Sequence, residues 1–295
     1  MPQRAPVRAA LKLLRPKQWT KNLLVFAALL FSGSLTQVPL VERSLLAFAS
    51  FCLLSGAVYV INDLADMDTD REHPKKRRRP LAAGEISVRG AVITAVASLI
   101  LAVVVAWPLG SIFLGIAAVY FGLVFAYSLW WKHVVVVDIL VVAVGFVLRA
   151  AAGAAAIQVS VSPWLLICTF FLAVFLTVSR RRHEYVLLGG NGGQHRSVLD
   201  NYTLPYLDQV ISIVTSTALV TYTLYTVKGT DHQYLVVTLP FVVFGVFRYL
   251  YLVHCRQEGG SPEDILLGDV PILVTVLGWV IVSGIVIYGL PSWRV

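Results

Sequence analysis

The sequence predicts an all-α fold, a multi-pass membrane helical bundle of about nine transmembrane helices in a single domain over residues 1–295. Three observations predict it. Hydrophobic residues make up 58% of the 295 and charged residues only 14%, too little polar surface to enclose a chain of this size in water. The apolar residues fall into stretches of roughly 20, the length a helix needs to cross a bilayer, separated by polar or proline-containing breaks. The basic residues gather in alternate breaks, as they do when loops alternate between two sides of a membrane.

Taken in order, the chain opens with Arg4, Arg8, Lys12, Arg15 and Lys17 among alanines and leucines. No small-residue cleavage site follows a separate apolar core, so a removable signal peptide is not expected. Leu11 and Leu14 with these cations suit a short helix lying on the membrane surface. The expected spans are Trp19–Leu35, Ser44–Asp63, Val88–Trp107, Gly110–Trp131, Val134–Ala156, Pro163–Ser179, Pro205–Val227, Tyr234–Val253 and Val270–Leu290. Trp107, Trp130, Trp131, Trp164 and Trp293 stand near span ends and suit the membrane interface. Arg149 and Arg248 fall inside apolar helices, where a charge either marks a functional interior or pairs with Asp138, Asp208 or Asp269. The three cysteines, Cys52, Cys168 and Cys255, are odd in number and far apart, so neither a disulfide framework nor a zinc site is expected. No internal repeat of fixed period is present. The Gly189–Gly193 run follows no strand and is read as a loop, not a nucleotide fingerprint.

A formal charge of +8 raises nucleic acid as a partner, but the cations sit in short loops between spans. Membrane orientation and an anionic substrate explain them better, and no nucleic-acid partner is expected. With the N-terminus inside, only Arg43, Lys228 and Arg294 of the 24 Lys and Arg fall outside, and two, Arg149 and Arg248, lie within spans. The expected location is therefore the cell membrane, with the charged motifs, and an active site built from them, facing the cytoplasm.

Those motifs begin where the second span ends. Asn62-Asp63-Leu64-Ala65-Asp66-Met67-Asp68-Thr69-Asp70 carries four aspartates in eight residues. One charged Asp at a bilayer centre costs about 2.5–3.5 kcal/mol, so this cluster cannot face lipid. If the helix continues, Asn62, Asp66 and Asp70 follow an i, i+4, i+8 spacing and Asp63 joins their face. Carboxylates so crowded repel one another unless a cation intervenes. Magnesium suits them, because it prefers oxygen ligands and commonly bridges one or two carboxylates to substrate phosphates. The basic run Lys75–Arg79 follows closely; metal ligands beside phosphate-binding cations describe a diphosphate site.

At these residues the chain resembles the UbiA-type intramembrane prenyltransferases. Asn62-Asp63-x-x-Asp66-x-x-x-Asp70 matches their first aspartate-rich motif, and the pattern continues through Arg71, His73-Pro74, Arg79-Pro80-Leu81 and Gly84. The resemblance implies nine spans, and a motif that binds magnesium and the donor diphosphate at a cavity open to cytoplasm and lipid. On it, Asn62, Asp66 and Asp70 are the candidate metal ligands, with Asp63 in the same catalytic group. Family members ordinarily carry a second aspartate-rich motif after the sixth span. Here that loop reads Ser179-Arg180-Arg181-Arg182-His183-Glu184. Guanidinium forks suit phosphate oxygens, so the substitution suggests a donor with an extra phosphate, although an ordinary positive-inside loop gives the same composition.

Further residues are similar to one branch of that family, the decaprenyl-phosphate phosphoribosyltransferases: Arg15-Pro16-Lys17-Gln18-Trp19-Thr20-Lys21-Asn22, the arginine loop, Phe247-Arg248-Tyr249 and Gly259-Gly260-x-Pro262-Glu263. The branch implies phosphoribosyl pyrophosphate as donor, a polyprenyl phosphate as acceptor, and a product for arabinan in the cell wall. Lys76, Arg79, Arg181 and Arg182 are candidates for donor phosphates. Lys17 and Lys21, one helical turn apart at the cytoplasmic mouth of the first span, and Lys132 serve donor or lipid phosphate; Tyr127 and Glu184 complete the substrate-binding set. The runners-up are prenyl transfer from a prenyl diphosphate to an aromatic acceptor, which the missing acidic motif disfavours, and transport of an anionic solute, which does not require the carboxylate array. Oligomeric state is left open, a homo-oligomer included.

Overall fold

Helices that are apolar on every side have no face to offer water, and such helices form the body of the protein. The computed structural model describes residues 6–72, 76–187, 197–256, 260 and 262–289. Among them, eight helical stretches are long and apolar enough to cross a membrane: Val38–Ala65, Val88–Leu109, Ser111–Leu129, Val137–Ile157, Pro163–Leu187, Leu204–Lys228, Tyr234–Cys255 and Val270–Gly289. His73, Pro74 and Lys75, the Gly189–Gly193 run, Gly259, Arg4, Trp293 and Arg294 lie outside the described residues.

The chain divides into two units, the first being Met1–Leu29, Ser34–Lys132 and Leu148–Val159. It begins with α1 (Pro6–Leu13). The expected short N-terminal helix is there, but its apolar edge is not laid outward: Leu13 and Leu14 are buried with Val60, Ala91 and Ala95, while Leu11 is exposed. α3 (Val38–Ala65) and α5 (Val88–Ala106) pack along their length. Small residues allow this approach, and Ser50 donates to the Ala102 carbonyl at 3.0 Å. α6 (Ser111–Leu129) adds Phe113 and Tyr120 to a core with Phe51, Val25 and the second half of α7 (Val137–Ile157).

Two expectations change here. The predicted span Trp19–Leu35 is not one α-helix but an 11-residue 3₁₀ helix, Pro16–Phe26, followed by the short α2 (Ala27–Phe31). Runs of 3₁₀ helix this long are uncommon and need support. Buried Asn22, in its middle, donates to Ser55 Oγ at 3.2 Å, and the Val25 carbonyl lies so close to Gly153 on α7 that an added Cβ would meet its oxygen at 2.0 Å. Arg43, expected in an outside loop, lies in the first turns of a longer α3; its Nε donates to the Ala156 carbonyl at 2.6 Å and Nη2 to Leu109 at 3.2 Å. It satisfies carbonyls at helix ends that have no partner within their own helices.

The second unit is Leu30–Gly33, His133–Val147 and Ser160–Val295. Its centre is the pair α8 (Pro163–Leu187) and α9 (Leu204–Lys228), with α10 (Leu239–Cys255), α11 (Pro262–Gly268) and α12 (Val270–Gly289) following. Phe175 meets Tyr249 edge-on at 5.3 Å in one core cluster. In another, Phe31 packs on Tyr225 and Trp279, and Trp164, expected at the interface, joins them. Hydroxyls along α9 return to backbone carbonyls one turn earlier, as Ser212 does to Asp208 and Ser216 to Ser212, which lets them lie in an apolar helix. Arg248 pairs with Asp269 at 2.8 Å, one of the partners the sequence offered. That bond holds the Asp269 carboxyl below the usual carboxylate range. All three cysteines are free.

Candidate active site

The acidic motif sits where α3 stops. Asp66 leaves helical geometry, and α4 (Met67–Glu72) resumes directly after it. The break keeps the four-residue spacing: Asp66 N–H donates to the Asn62 carbonyl at 2.9 Å and Asp70 N–H to the Asp66 carbonyl at 2.8 Å. Asn62, Asp66 and Asp70 therefore follow one another at helical intervals, while Asp68 points away, 85% exposed and paired with Arg71.

Their surroundings differ sharply. Asp63 and Asp70 are each 2% exposed and share one guanidinium, Arg79, whose Nη1 reaches Asp63 Oδ1 at 3.1 Å and Asp70 Oδ2 at 2.5 Å. Arg15 also pairs with Asp63, from a left-handed backbone conformation (φ 50°) and with its guanidinium 4.9 Å from the Tyr59 ring centre. Lys76 stands 3.9 Å from Asp70 Oδ1. Asp66 is 28% exposed. Its Oδ1 accepts from Lys132 Nζ at 2.9 Å and its Oδ2 from Asn62 Nδ2 at 3.0 Å.

Tyr127 is half-buried near the end of α6. Lys17 and Lys21, expected one α-turn apart, lie in the 3₁₀ segment, whose three-residue turn sets positions four apart about a third of a turn from each other. Lys17 is exposed and Lys21 half-buried.

Sequence alone did not assign a second polar cluster in this unit. Buried Arg149 donates from Nε to Asn22 Oδ1 at 2.8 Å and from Nη2 to the Tyr120 hydroxyl at 2.7 Å. Asn22 also donates to Cys52 Sγ at 3.4 Å. An arginine in an apolar helix signalled an interior role, and an amide and a phenol are among the partners that hold it.

In the second unit, α8 continues to Leu187, so Arg180–Glu184 occupy helical turns instead of the expected loop after Ser179. Arg181 is 3% exposed; Nε donates to Asp138 Oδ2 at 2.8 Å and Nη1 to Glu184 Oε2 at 2.6 Å. The Tyr202 hydroxyl donates to the other oxygen of Asp138 at 2.7 Å. Burial first, and that carboxylate next, push the Tyr202 phenol well above its ordinary value, which keeps the proton on the donor. Arg182 pairs with Asp208 at 2.5 Å and donates to the Val253 carbonyl at 3.3 Å. Arg180, 42% exposed, bonds Glu184 at 3.0 Å. Two of the three guanidiniums thus hold neighbouring elements, and the third faces outward.

A family model described as the UbiA prenyltransferase family matches residues 23–263. The chain belongs to the UbiA prenyltransferase family. Among curated UbiA relatives, the decaprenyl-phosphate phosphoribosyltransferase of Corynebacterium glutamicum is 34% identical over 96% of this chain and 88% of its own length. Those of Mycolicibacterium smegmatis and Mycobacterium tuberculosis are each 33% identical, over 97% and 94% of this chain and 95% and 94% of theirs. A solved UbiA homologue from Archaeoglobus fulgidus, bound to GPP and Mg2+, superposes with a TM-score of 0.74 at 23% identity, covering 96% of this chain and 100% of that one. This likeness shows the fold.

The residues fit a magnesium ion of the kind this family implies in one particular manner. The donors are all oxygens, as a hard cation requires. Among the described residues, no three His, Cys, Asp or Glu converge on a point that could hold a metal. On the face shared by Asn62, Asp66 and Asp70, Asp66 is the accessible carboxylate, so phosphate oxygens and water would have to complete the shell.

Proposed function

We propose that this UbiA-family chain transfers 5-phosphoribose from phosphoribosyl pyrophosphate to a polyprenyl phosphate, decaprenyl phosphate being the acceptor to test first. The supporting observation is the near full-length similarity to decaprenyl-phosphate phosphoribosyltransferases. An oxygen of the lipid phosphate attacks the anomeric carbon of ribose as the bond from that carbon to pyrophosphate breaks. Pyrophosphate leaves with the bonding electrons. The attacking phosphate is already anionic, so little is needed from a general base; the demand is for charge control at the leaving group. Bound magnesium would supply neutralisation of that group.

Each candidate residue then has a task. Asp66 and Asn62 offer the metal its oxygens, with Asp70 as the next carboxylate along the helix. Arg79 and Arg15 fix Asp63 and Asp70, holding the motif in register. Lys132, Lys76 and Arg79 are assigned to donor phosphates; Lys17, Lys21 and Tyr127 are assigned to the donor or the lipid phosphate. In the last two turns of α8, Arg180 is the guanidinium of the three most open to phosphate; Glu184 bonds it, while Arg181 and Arg182 tie the helix to Asp138 and Asp208. The site is assigned to the cytoplasmic face of the cell membrane, and the product to arabinan precursor synthesis in the cell wall.

The test uses the protein in nanodiscs with decaprenyl phosphate, magnesium and ribose-labelled phosphoribosyl pyrophosphate. Label should enter the solvent-extractable lipid with one pyrophosphate released per label transferred, and excess chelator should stop both. Pyrophosphate release without lipid labelling would contradict the proposed acceptor.

A further inference from the structure

We infer that Lys132 is an exchangeable counter-ion of Asp66, occupying a carboxylate oxygen that a divalent cation would take and leaving it for a diphosphate, so that metal and diphosphate bind synergistically. This rests on the metal-site reading given above.

Apart from Asp68, which points away toward Arg71, Asp66 is the carboxylate of the motif that a hydrated cation can approach, since Asp63 and Asp70 are 2% exposed against its 28%. Yet both its oxygens are engaged. Oδ2 accepts from the neutral Asn62 amide at 3.0 Å, and Oδ1 accepts from the Lys132 ammonium at 2.9 Å. An amide can turn its own oxygen toward a metal beside a carboxylate. An ammonium cannot, because it has donors only and carries like charge. A metal that takes Asp66 Oδ1 must therefore displace Lys132.

The two cations of this motif are built differently. Arg79 bridges two buried carboxylates through one nitrogen, Nη1, which ties it to both. Lys132 makes one contact with Asp66 from a flexible four-carbon stem, in the short 3₁₀ turn Trp131–His133 after α6, and is 21% exposed. It has the freedom to move. Displaced with nothing to receive it, the ammonium would be part-buried without that partner, which is unfavourable. Displaced toward a metal-bound diphosphate, it gains an anion of higher charge. The metal shell is also incomplete in protein ligands, and phosphate oxygens would complete it. Both effects have the same sign. Because binding linkage is reciprocal, a diphosphate that tightens metal binding is itself bound more tightly when metal is present.

The test is Mn2+ binding to the full chain in nanodiscs, read from the electron paramagnetic resonance signal of free Mn2+, without and with pyrophosphate. Solution binding of Mn2+ to pyrophosphate is included in the fit. Lys132→Met and Lys132→Gln should each bind Mn2+ about tenfold more tightly than wild type when no phosphate is present, the scale of one charge-assisted contact. The tightening that pyrophosphate confers should shrink by a similar factor. A structural defect would weaken metal binding, not strengthen it. Unchanged or weaker Mn2+ affinity in both variants, with Asp66→Asn abolishing binding, would overturn the counter-ion role and leave the metal site standing. Wild-type Mn2+ affinity in Asp66→Asn would overturn both.

Discussion

Asp66 and Asp63 are three residues apart and do different work. Asp63 is buried between Arg15 and Arg79, and removing its charge leaves guanidiniums short of a partner; Asp63→Asn should destabilise the protein by about 3–5 kcal/mol. Asp66 is partly exposed and holds only Lys132 and Asn62. Asp66→Asn, which loses only the part-exposed Lys132 ion pair, should lower stability by no more than about 1 kcal/mol while lowering turnover by about two to three orders of magnitude. Equal effects of the two variants on stability would contradict the division. A similar contrast holds on α8. Arg181→Ala removes the guanidinium paired with fully buried Asp138, leaving a buried charge with the Tyr202 hydroxyl but without that cation, and should cost about 3–5 kcal/mol of stability. Arg180→Ala should fold normally but weaken phosphoribosyl pyrophosphate binding about tenfold, and pyrophosphate binding much less, with lysine restoring only part of the loss. Equal losses for both ligands would assign Arg180 to the diphosphate instead. The carboxylate face was legible in the sequence because Asn62, Asp66 and Asp70 are spaced by the helix itself. The cations that hold Asp63 were not, since Arg79 and Arg15 reach it across 16 and 48 residues.

Most helices could be read from length and apolarity, because in a bilayer the backbone must satisfy its own hydrogen bonds and a long apolar run has few alternatives. The first segment shows where this fails. Trp19–Leu35 has the composition of a span, and composition does not distinguish an α-helix from a 3₁₀ helix. What separates them is Asn22 bonded to Arg149 and the Val25 carbonyl set against Gly153, contacts made by a helix more than a hundred residues further along the chain. The extension of α8 was hidden for a related reason: Arg180–Arg182 look like a cytoplasmic loop until Asp138, Glu184 and Asp208 are seen to pair with them. Gly153→Ala would force the 3₁₀ segment away from α7, with an expected loss of about 1–3 kcal/mol, because an overfilled contact must be relieved by backbone movement. A thermal unfolding midpoint equal to wild type would show that the approach is not a constraint.

For the molecule as a whole, the proposed orientation rests on the distribution of Lys and Arg. In a Cys255→Ser background, where the remaining Cys52 and Cys168 are buried, single cysteines at Asp68 or Asn201 should react with an impermeant thiol reagent only from the cytoplasmic side of sealed membranes. Labelling of either from outside would reverse the assignment of that segment. The central claim concerns the donor, and the most direct measurement of it is a comparison of donors on one preparation. The nanodisc protein with magnesium is given labelled phosphoribosyl pyrophosphate with decaprenyl phosphate, and separately a labelled prenyl diphosphate with an aromatic acceptor. Transfer of ribose phosphate to the lipid, with no prenylated aromatic product, is the expected result; prenyl transfer without ribosyl transfer would contradict the account.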